Sequence, residues 1–179
     1  MPDWQAEAII LSVRPHGEGS AVISVLTADY GRHAGLVRGG ASSKMRGIIQ
    51  PGNRVRVSWR ARLSEQLGQM QIELVQSVPA LLLDSPLRLS GVASMCALLD
   101  GALPEREAQP GLFEGSAALL DVIVLDDDNV GWVEGYVRWE LGLLAAVGYR
   151  LDLTRCVASG QASDLAFVSP KSGGAVARH

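Results

Sequence analysis

The amino-acid sequence predicts a β + α chain: an N-terminal five-stranded barrel followed by an α-helical domain. Three observations carry this expectation. The first 78 residues contain five short runs rich in β-branched residues, separated by glycine turns. Beyond Pro79 the apolar residues recur at three- and four-residue steps, the spacing of a helix with one buried stripe. The charge changes sign at the same place. Residues 1–78 hold nine basic and six acidic side chains, a net of +3, whereas the rest holds seven and thirteen, a net of −6. Such asymmetry points to two modules with different partners, expected at 1–78 and 79–179.

The strands justify the first module in order. Ala6 to Arg14 reads AEAIILSVR and ends at the turn cluster PHGEGS. Ser20 to Ala28 is a second strand, closed by Asp29-Tyr30-Gly31, and Arg32 to Arg38 a third. From Gly39 the chain is rich in glycine and serine up to the Pro51-Gly52 pair, which predicts turn and loop rather than helix. Arg54 to Arg62 alternates, so Val55, Val57 and Trp59 share one face while Arg54, Arg56, Arg60 and Arg62 share the other. Gly68 to Gln76 is the fifth strand, with Met70, Ile72 and Leu74 facing away from Gln69, Gln71 and Glu73. Five short strands in about 75 residues fit a small closed barrel, of which the OB-fold is the common five-stranded form.

Helices are expected next. Leu89, Val92, Cys96, Leu99 and Leu103 form one stripe, with Pro86 suited to the first turn and Gly101 and Pro104 to the end. A second helix is expected from Pro110 to Leu125. A third is expected from about Val130 to Val147, with Asn129 as its cap and Gly148 as its stop. It is apolar on most sides, which predicts a place at the centre of the helical module. The tail from Tyr149 shows few periodic signals.

Composition narrows the function classes. No apolar run is long enough to cross a bilayer, and MPDWQAEAII lacks the basic start and apolar stretch of a secretory signal. Two cysteines, Cys96 and Cys156, make no disulfide framework and fit a reducing compartment, so a cytoplasmic protein is expected. The run Gly17-Glu18-Gly19-Ser20 lacks the lysine and following helix of a phosphate loop and reads as a hairpin turn. Asp126, Asp127 and Asp128 have no calcium-loop ligand set after them and suit a solvated turn before a helix N-terminus. His16, His33 and His179 show neither metal nor triad spacing, and Cys96 reads as a small core residue. No catalytic constellation is readable.

What remains is basic. A flexible loop carrying Lys44 and Arg46 leads into a strand face of arginines, an arrangement suited to a ligand with spaced negative charges. A second reading is a solvated strand face whose arginines guard a sheet edge against aggregation. Arg138, on the most apolar helix, likewise has two readings. Glu134 stands four residues before it in the favourable order for an intrahelical pair. Alternatively, its guanidinium beside Val137, Leu141 and Leu144 suits a peptide carrying a carboxylate and apolar side chains.

Taken together, these residues resemble the bacterial recombination mediator RecO family. The resemblance runs through Trp4 to Leu11, Glu18, Thr27-Ala28-Asp29-Tyr30-Gly31-Arg32, Arg38-Gly39 with the Lys44/Arg46 loop, and Gln50-Pro51-Gly52. It continues in Arg138-Trp139-Glu140-Leu141, Leu144, Gly148-Tyr149, Ser169-Pro170 and Gly173-Gly174. It implies an N-terminal OB-fold and a helical domain. It also implies binding of single- and double-stranded DNA, strand annealing, and partnership with RecR and single-stranded-DNA-binding protein in RecA loading. Some family members hold zinc with four cysteines. Here Cys156 stands at the first such position, Ser159 at the second, and Ala175-Val176-Ala177 supplies no later pair, so no zinc and no other cofactor is expected. The chain is also shorter than family members usually are.

The expectation is therefore a non-enzymatic DNA-binding protein of recombinational repair. Arg32, Arg38, Lys44, Arg46, Arg54, Arg56, Arg60 and Arg62 are its candidate phosphate contacts, and Arg138, Val137, Leu141 and Leu144 its candidate site for the acidic C-terminal tail of single-stranded-DNA-binding protein. Tyr30 is the one aromatic residue of the barrel turns placed to stack on a base. The rival reading is a protein-interaction adaptor whose barrel binds no nucleic acid.

Overall fold

A computed structural model describes residues 2–126 and 131–178. They belong to two compact units, Met1–Tyr136 and Val137–His179. In the first, β1 (Asp3–His16), β2 (Ser20–Thr27), β3 (Gly31–Arg38), β4 (Arg54–Arg60) and β5 (Gln69–Gln76) close into a barrel of order β1-β2-β3-β5-β4. Neighbours pair antiparallel except β3 and β5, which run parallel. That is the expected OB-fold. Its interior is filled from the predicted alternation: Ala8 and Ile10 from β1, Ile23 and Val25 from β2, Val55, Val57 and Trp59 from β4, and Met70 from β5. Gly35 leaves the space that Met70 uses, since a Cβ there would meet Met70 Cγ at 2.5 Å.

Strand β1 is longer than its apolar run because Asp3–Gln5 still pair with β4, and the register shifts between Ile10 and Ser12. The run Ala8–Leu11 is buried throughout, for a reason outside the strand. Helices α3 (Pro86–Ala102) and α4 (Pro110–Leu125) pack on the outside of β1 and β2. They cover Ile9 and its cross-strand partner Leu26, so this part of the sheet is apolar on both faces. The thiol of Cys96, on α3, donates to the Ile10 carbonyl at 3.5 Å. Burial pushes its pKa up to about 12, as befits a core residue rather than a nucleophile.

The structure corrects several expectations. The Gly39–Pro51 stretch is not all loop: Ser42 caps a short helix α1 (Ser43–Ile48) by accepting from the Met45 N–H. Met45 and Ile48 pack on the barrel core beside buried Ile49, and the Asn53 amide donates to the Gly47 and Ile48 carbonyls. Burial of those apolar groups outweighs the local glycine and serine content. Strand β4 ends at Arg60, so Arg62 lies in the following loop. Leu74 does not face the core; it is 39% exposed, at the last pair (with Val55) before the β4–β5 register shifts. A four-residue helix α2 (Val78–Leu81), which the sequence pattern does not announce, precedes α3.

Helix α3 buries Val92, Met95, Cys96 and Leu99, close to the predicted stripe, and α4 buries Leu112, Leu119, Leu120 and Ile123. The segment after α3 straps one end of the barrel. Arg106 donates its backbone N–H to the Arg32 carbonyl at 2.7 Å, and its guanidinium donates to the carbonyls of Ser64 and Gln66 in the β4–β5 loop. Gly31 is required here: its φ is +61°, and a Cβ would run into the Glu107 carbonyl.

Helix α5 (Gly131–Ala146) has the predicted extent among the described residues, and the unit boundary falls within it. It is not apolar-buried on most sides. Trp132, Trp139 and Leu143 are buried, whereas Val133, Val137 and Leu144 are exposed. A helix rich in apolar residues need not bury them all; packing partners decide that. Its expected cap Asn129 and first residue Val130, like Asp127, Asp128 and His179, lie outside the described residues. The tail is more ordered than its sequence suggests. Strands β6 (Asp152–Cys156), β7 (Leu165–Val168) and β8 (Gly174–Ala177) form a three-stranded sheet of order β6-β8-β7.

Candidate nucleic-acid interface

Cross-strand register decides what the arginines of β4 meet. Arg56 lies opposite Glu7 on β1 and Glu73 on β5, and Arg60 opposite Asp3 and Gln69. Arg56 reaches Glu73 at 3.2 Å and Arg60 reaches Asp3 at 3.8 Å, both pairs well exposed. Such pairs are screened and weak, worth under about 1 kcal/mol. They nevertheless offset part of the positive charge that the strand alone implies.

Arg54 and Arg32 are committed to the fold. The Arg54 guanidinium leaves the strand toward α4, where it contacts Asp121 at 2.8 Å and donates to the Ala117 carbonyl. Arg32 Nε donates to the Leu103 carbonyl at 2.7 Å, and Nη1 lies 3.5 Å from both Asp100 and Glu105. These side chains staple the helices to the barrel, which a strand pattern cannot foretell.

Arg38, Lys44, Arg46 and Arg62 are exposed, and none makes an ion pair among the described residues. Arg38 ends β3, and Lys44 and Arg46 project from α1, whose apolar side is anchored to the barrel floor. Arg38, Met45 and Arg60 line one cleft of 710 Å³ at the seam between β3 and β5. That seam is the weakest in the barrel, with a single paired position, Leu36 to Gln69. The structure thus gathers a basic corner at one end of the barrel. Lys44 and Arg46 thus stand on a short helix rather than on the flexible loop the sequence suggests.

Tyr30 stands against Trp4, ring centroids 4.4 Å apart and 11° from parallel, with one third of its surface exposed. Trp4 in turn lies over Trp59 at 5.8 Å. Tyr30 therefore closes an internal aromatic column, and its stacking capacity is largely spent within the barrel.

In the second unit, Val137, Leu141 and Leu144 recur at helical spacing on α5, with Val137 and Leu144 exposed, Leu141 half-buried and Arg138 exposed. The sheet of the tail holds Cys156 at the end of β6. Ser159 donates its backbone N–H to Cys156 Sγ at 3.4 Å, and the Ser159 hydroxyl and nearby backbone N–H groups bring the thiol down to about 6. Across from it on β8 stands Ala175. Among the described residues no three His, Cys, Asp or Glu side chains are grouped to hold a metal, and one thiol beside a serine does not fit a tetrahedral zinc site.

The closed five-stranded barrel, followed by helices, defines an OB-fold protein with a basic corner at one end of its barrel. The comparisons agree. A family model described as "Recombination protein O N terminal" matches residues 1–78, and one described as "Recombination protein O C terminal" matches residues 83–178. A DNA repair protein RecO of Rhodospirillum centenum is 50% identical over 176 residues, 97% of this chain and 69% of the relative. One from Cereibacter sphaeroides is 51% identical over 178 residues, covering 99% and 72%, and one from Rhodospirillum rubrum 44% over 180 residues, covering 99% and 71%. The chain belongs to the recombination protein O family, a family of DNA repair proteins and recombination mediators rather than of enzymes. Among the described residues no helix is long and apolar enough to cross a membrane.

Proposed function

We propose that this protein binds single- and double-stranded DNA through its barrel, anneals complementary strands, and assists RecA loading with RecR and single-stranded-DNA-binding protein. This work is placed in the cytoplasm, with no enzymatic step and no cofactor. The observation that carries the reading is the basic corner of Arg38, Lys44 and Arg46, whose charge is not cancelled by the carboxylates that accompany β4. Arg62 extends it, and Arg56 and Arg60 contribute when a phosphate displaces their weak partners. The modules 1–78 and 79–179 divide the work: the barrel takes DNA, and the acidic remainder takes protein.

A titration across salt concentrations tests the DNA reading. Replacing Arg38, Lys44 and Arg46 with alanine should flatten the slope of log affinity against log salt by about 2 for single strands, roughly 0.7 for each lost contact. The loss should be similar for all DNA sequences, because phosphate contacts carry no base information. An unchanged slope in a folded variant would favour the adaptor reading.

For the second module, the exposed Val137 and Leu144 beside Arg138 support binding of an acidic peptide ending in an apolar residue. Arg138→Ala should weaken such a peptide by about ten- to hundredfold, the worth of one charge-assisted contact, and lysine should restore only part. Calorimetry showing equal affinities would leave Arg138 as an intrahelical partner of Glu134 and move the peptide elsewhere.

A further inference from the structure

Among the described residues the barrel keeps an outer sheet face open on β4 and β5. Helices α3 and α4 cover the outside of β1 and β2, and Arg54 binds the edge of β4 to α4. A strand of nucleic acid that uses this face lies on the outside of the N-terminal half of β1 with β4 and β5. Register arranges that face in three cross-strand rows. Asp3, Arg60 and Gln69 form the first, Gln5, Ser58 and Gln71 the second, and Glu7, Arg56 and Glu73 the third. The outer rows carry the ion pairs. The middle row carries two carboxamides and a hydroxyl, neutral groups that both donate and accept.

Two depressions meet on this row. The 710 Å³ cleft at the basic corner and a second of 440 Å³ beside Arg56 and Glu73 share Gln5, Ser58, Gln71 and Ile72. The track they form starts at Arg38 and Arg60 and crosses the sheet over neutral polar groups. We propose that this row is a base-contact strip, on which the edges of unpaired bases hydrogen-bond while their phosphates are held at Arg38, Lys44 and Arg46. The assignment rests on the DNA-binding reading above and specifies how it favours single strands.

The chemistry of the face selects this occupant. Counting its ionisable groups, the face has three carboxylates against two guanidinium groups, so it does not attract phosphate by itself. The attraction sits at the corner, and a strand anchored there lays its next nucleotides over the amide row. Carboxamides match base edges, which present mixed donors and acceptors, and sequence tolerance follows because each can rotate to suit. Aromatic faces are absent from the row, so edge contacts replace stacking. In a duplex the pairing edges are occupied, and only the corner would engage.

Binding to a thymidine oligonucleotide, to an abasic oligonucleotide of equal length and charge, and to a duplex tests the proposal in wild type and in the Gln5→Ala/Ser58→Ala/Gln71→Ala variant. Gln5 and Gln71 are exposed and Ser58 half-buried, and circular dichroism confirms folding. Wild type should bind the thymidine strand at least tenfold more tightly than the abasic one. The variant should lose that preference, keep its salt slope, and keep its duplex affinity. Equal wild-type affinity for thymidine and abasic strands would overturn the strip, as would equal losses on single strand and duplex. If the Arg38/Lys44/Arg46 variant loses affinity while the amide variant does not, the strip alone is wrong. If wild type binds none of the three, both readings fall.

Discussion

Replacing Arg32 with alanine should lower the unfolding free energy by about 3 kcal/mol while leaving the DNA affinity of the folded protein unchanged. Its side chain is 18% exposed and that of its partner Asp100 14%, so solvent does little to replace the contact. Losing the guanidinium strands the Asp100 carboxylate with only the exposed Arg14 at 3.6 Å, and removes the donor to the Leu103 carbonyl. Breaking one partner of a buried pair costs about 3–5 kcal/mol, and residual solvation places this case at the lower end. The strap should also loosen, because the Arg32 backbone pairs with Glu105 and accepts from Arg106. Arg32→Lys should recover less than half, since one ammonium cannot span the acceptors that the planar guanidinium reaches. Urea unfolding of the three proteins settles the matter. A cost under about 1 kcal/mol for alanine, or a lost salt slope in DNA binding, would return Arg32 to the phosphate-binding set.

Stability should fall as the solution is acidified from pH 6.5 toward pH 4, and His33 should account for a share on the order of 3 kcal/mol. The ring is 4% exposed and stands edge-on to Trp4 at 5.1 Å and Trp59 at 4.7 Å. Burial, aided by the positive charge of Arg106, lowers its pKa to about 4. An unfolded chain protonates this imidazole near pH 6.5, whereas the folded barrel keeps it neutral. The unfolded state therefore binds the extra proton across that window, so the contribution is complete above pH 6.5 and lost as pH drops through 4. Carboxylates add their own acid dependence, which a His33→Phe variant retains. Between pH 7 and pH 4.5 the wild type should lose markedly more stability than His33→Phe in denaturant titrations. Parallel curves for the two proteins would mean that the ring is already solvated in the fold.

The two predictions share a cause that bears on the whole interface. Arg32 and His33 are consecutive residues of one strand with opposite fates, one stapled to α3 and the other sealed in the barrel. Alternation along β3 reveals that they face opposite ways, and nothing in it reveals what lies on either side. The same holds for β4. Its pattern identifies a row of arginines correctly, but Arg54 belongs to α4, while Arg56 and Arg60 have carboxylates across the strand.

Local sequence determined the features that depend on near neighbours. The five strands, the OB-fold, the extents of α3 and α4 and the inward set Val55, Val57 and Trp59 follow from period, turn residues and caps, because each is settled within a few residues. Family membership was legible too, since ordered motifs from Trp4 to Gly174 are far more specific than any one spacing. Tertiary structure decided the rest. A capped turn of six residues becomes helix α1 only because Met45, Ile48 and Ile49 find the barrel floor, and the tail becomes a sheet only through pairing of segments about ten and about twenty residues apart. The available charge was decided in the same way. Arg32 finds its carboxylate, Asp100, 68 positions away, because Coulomb energy depends on distance in space rather than along the chain.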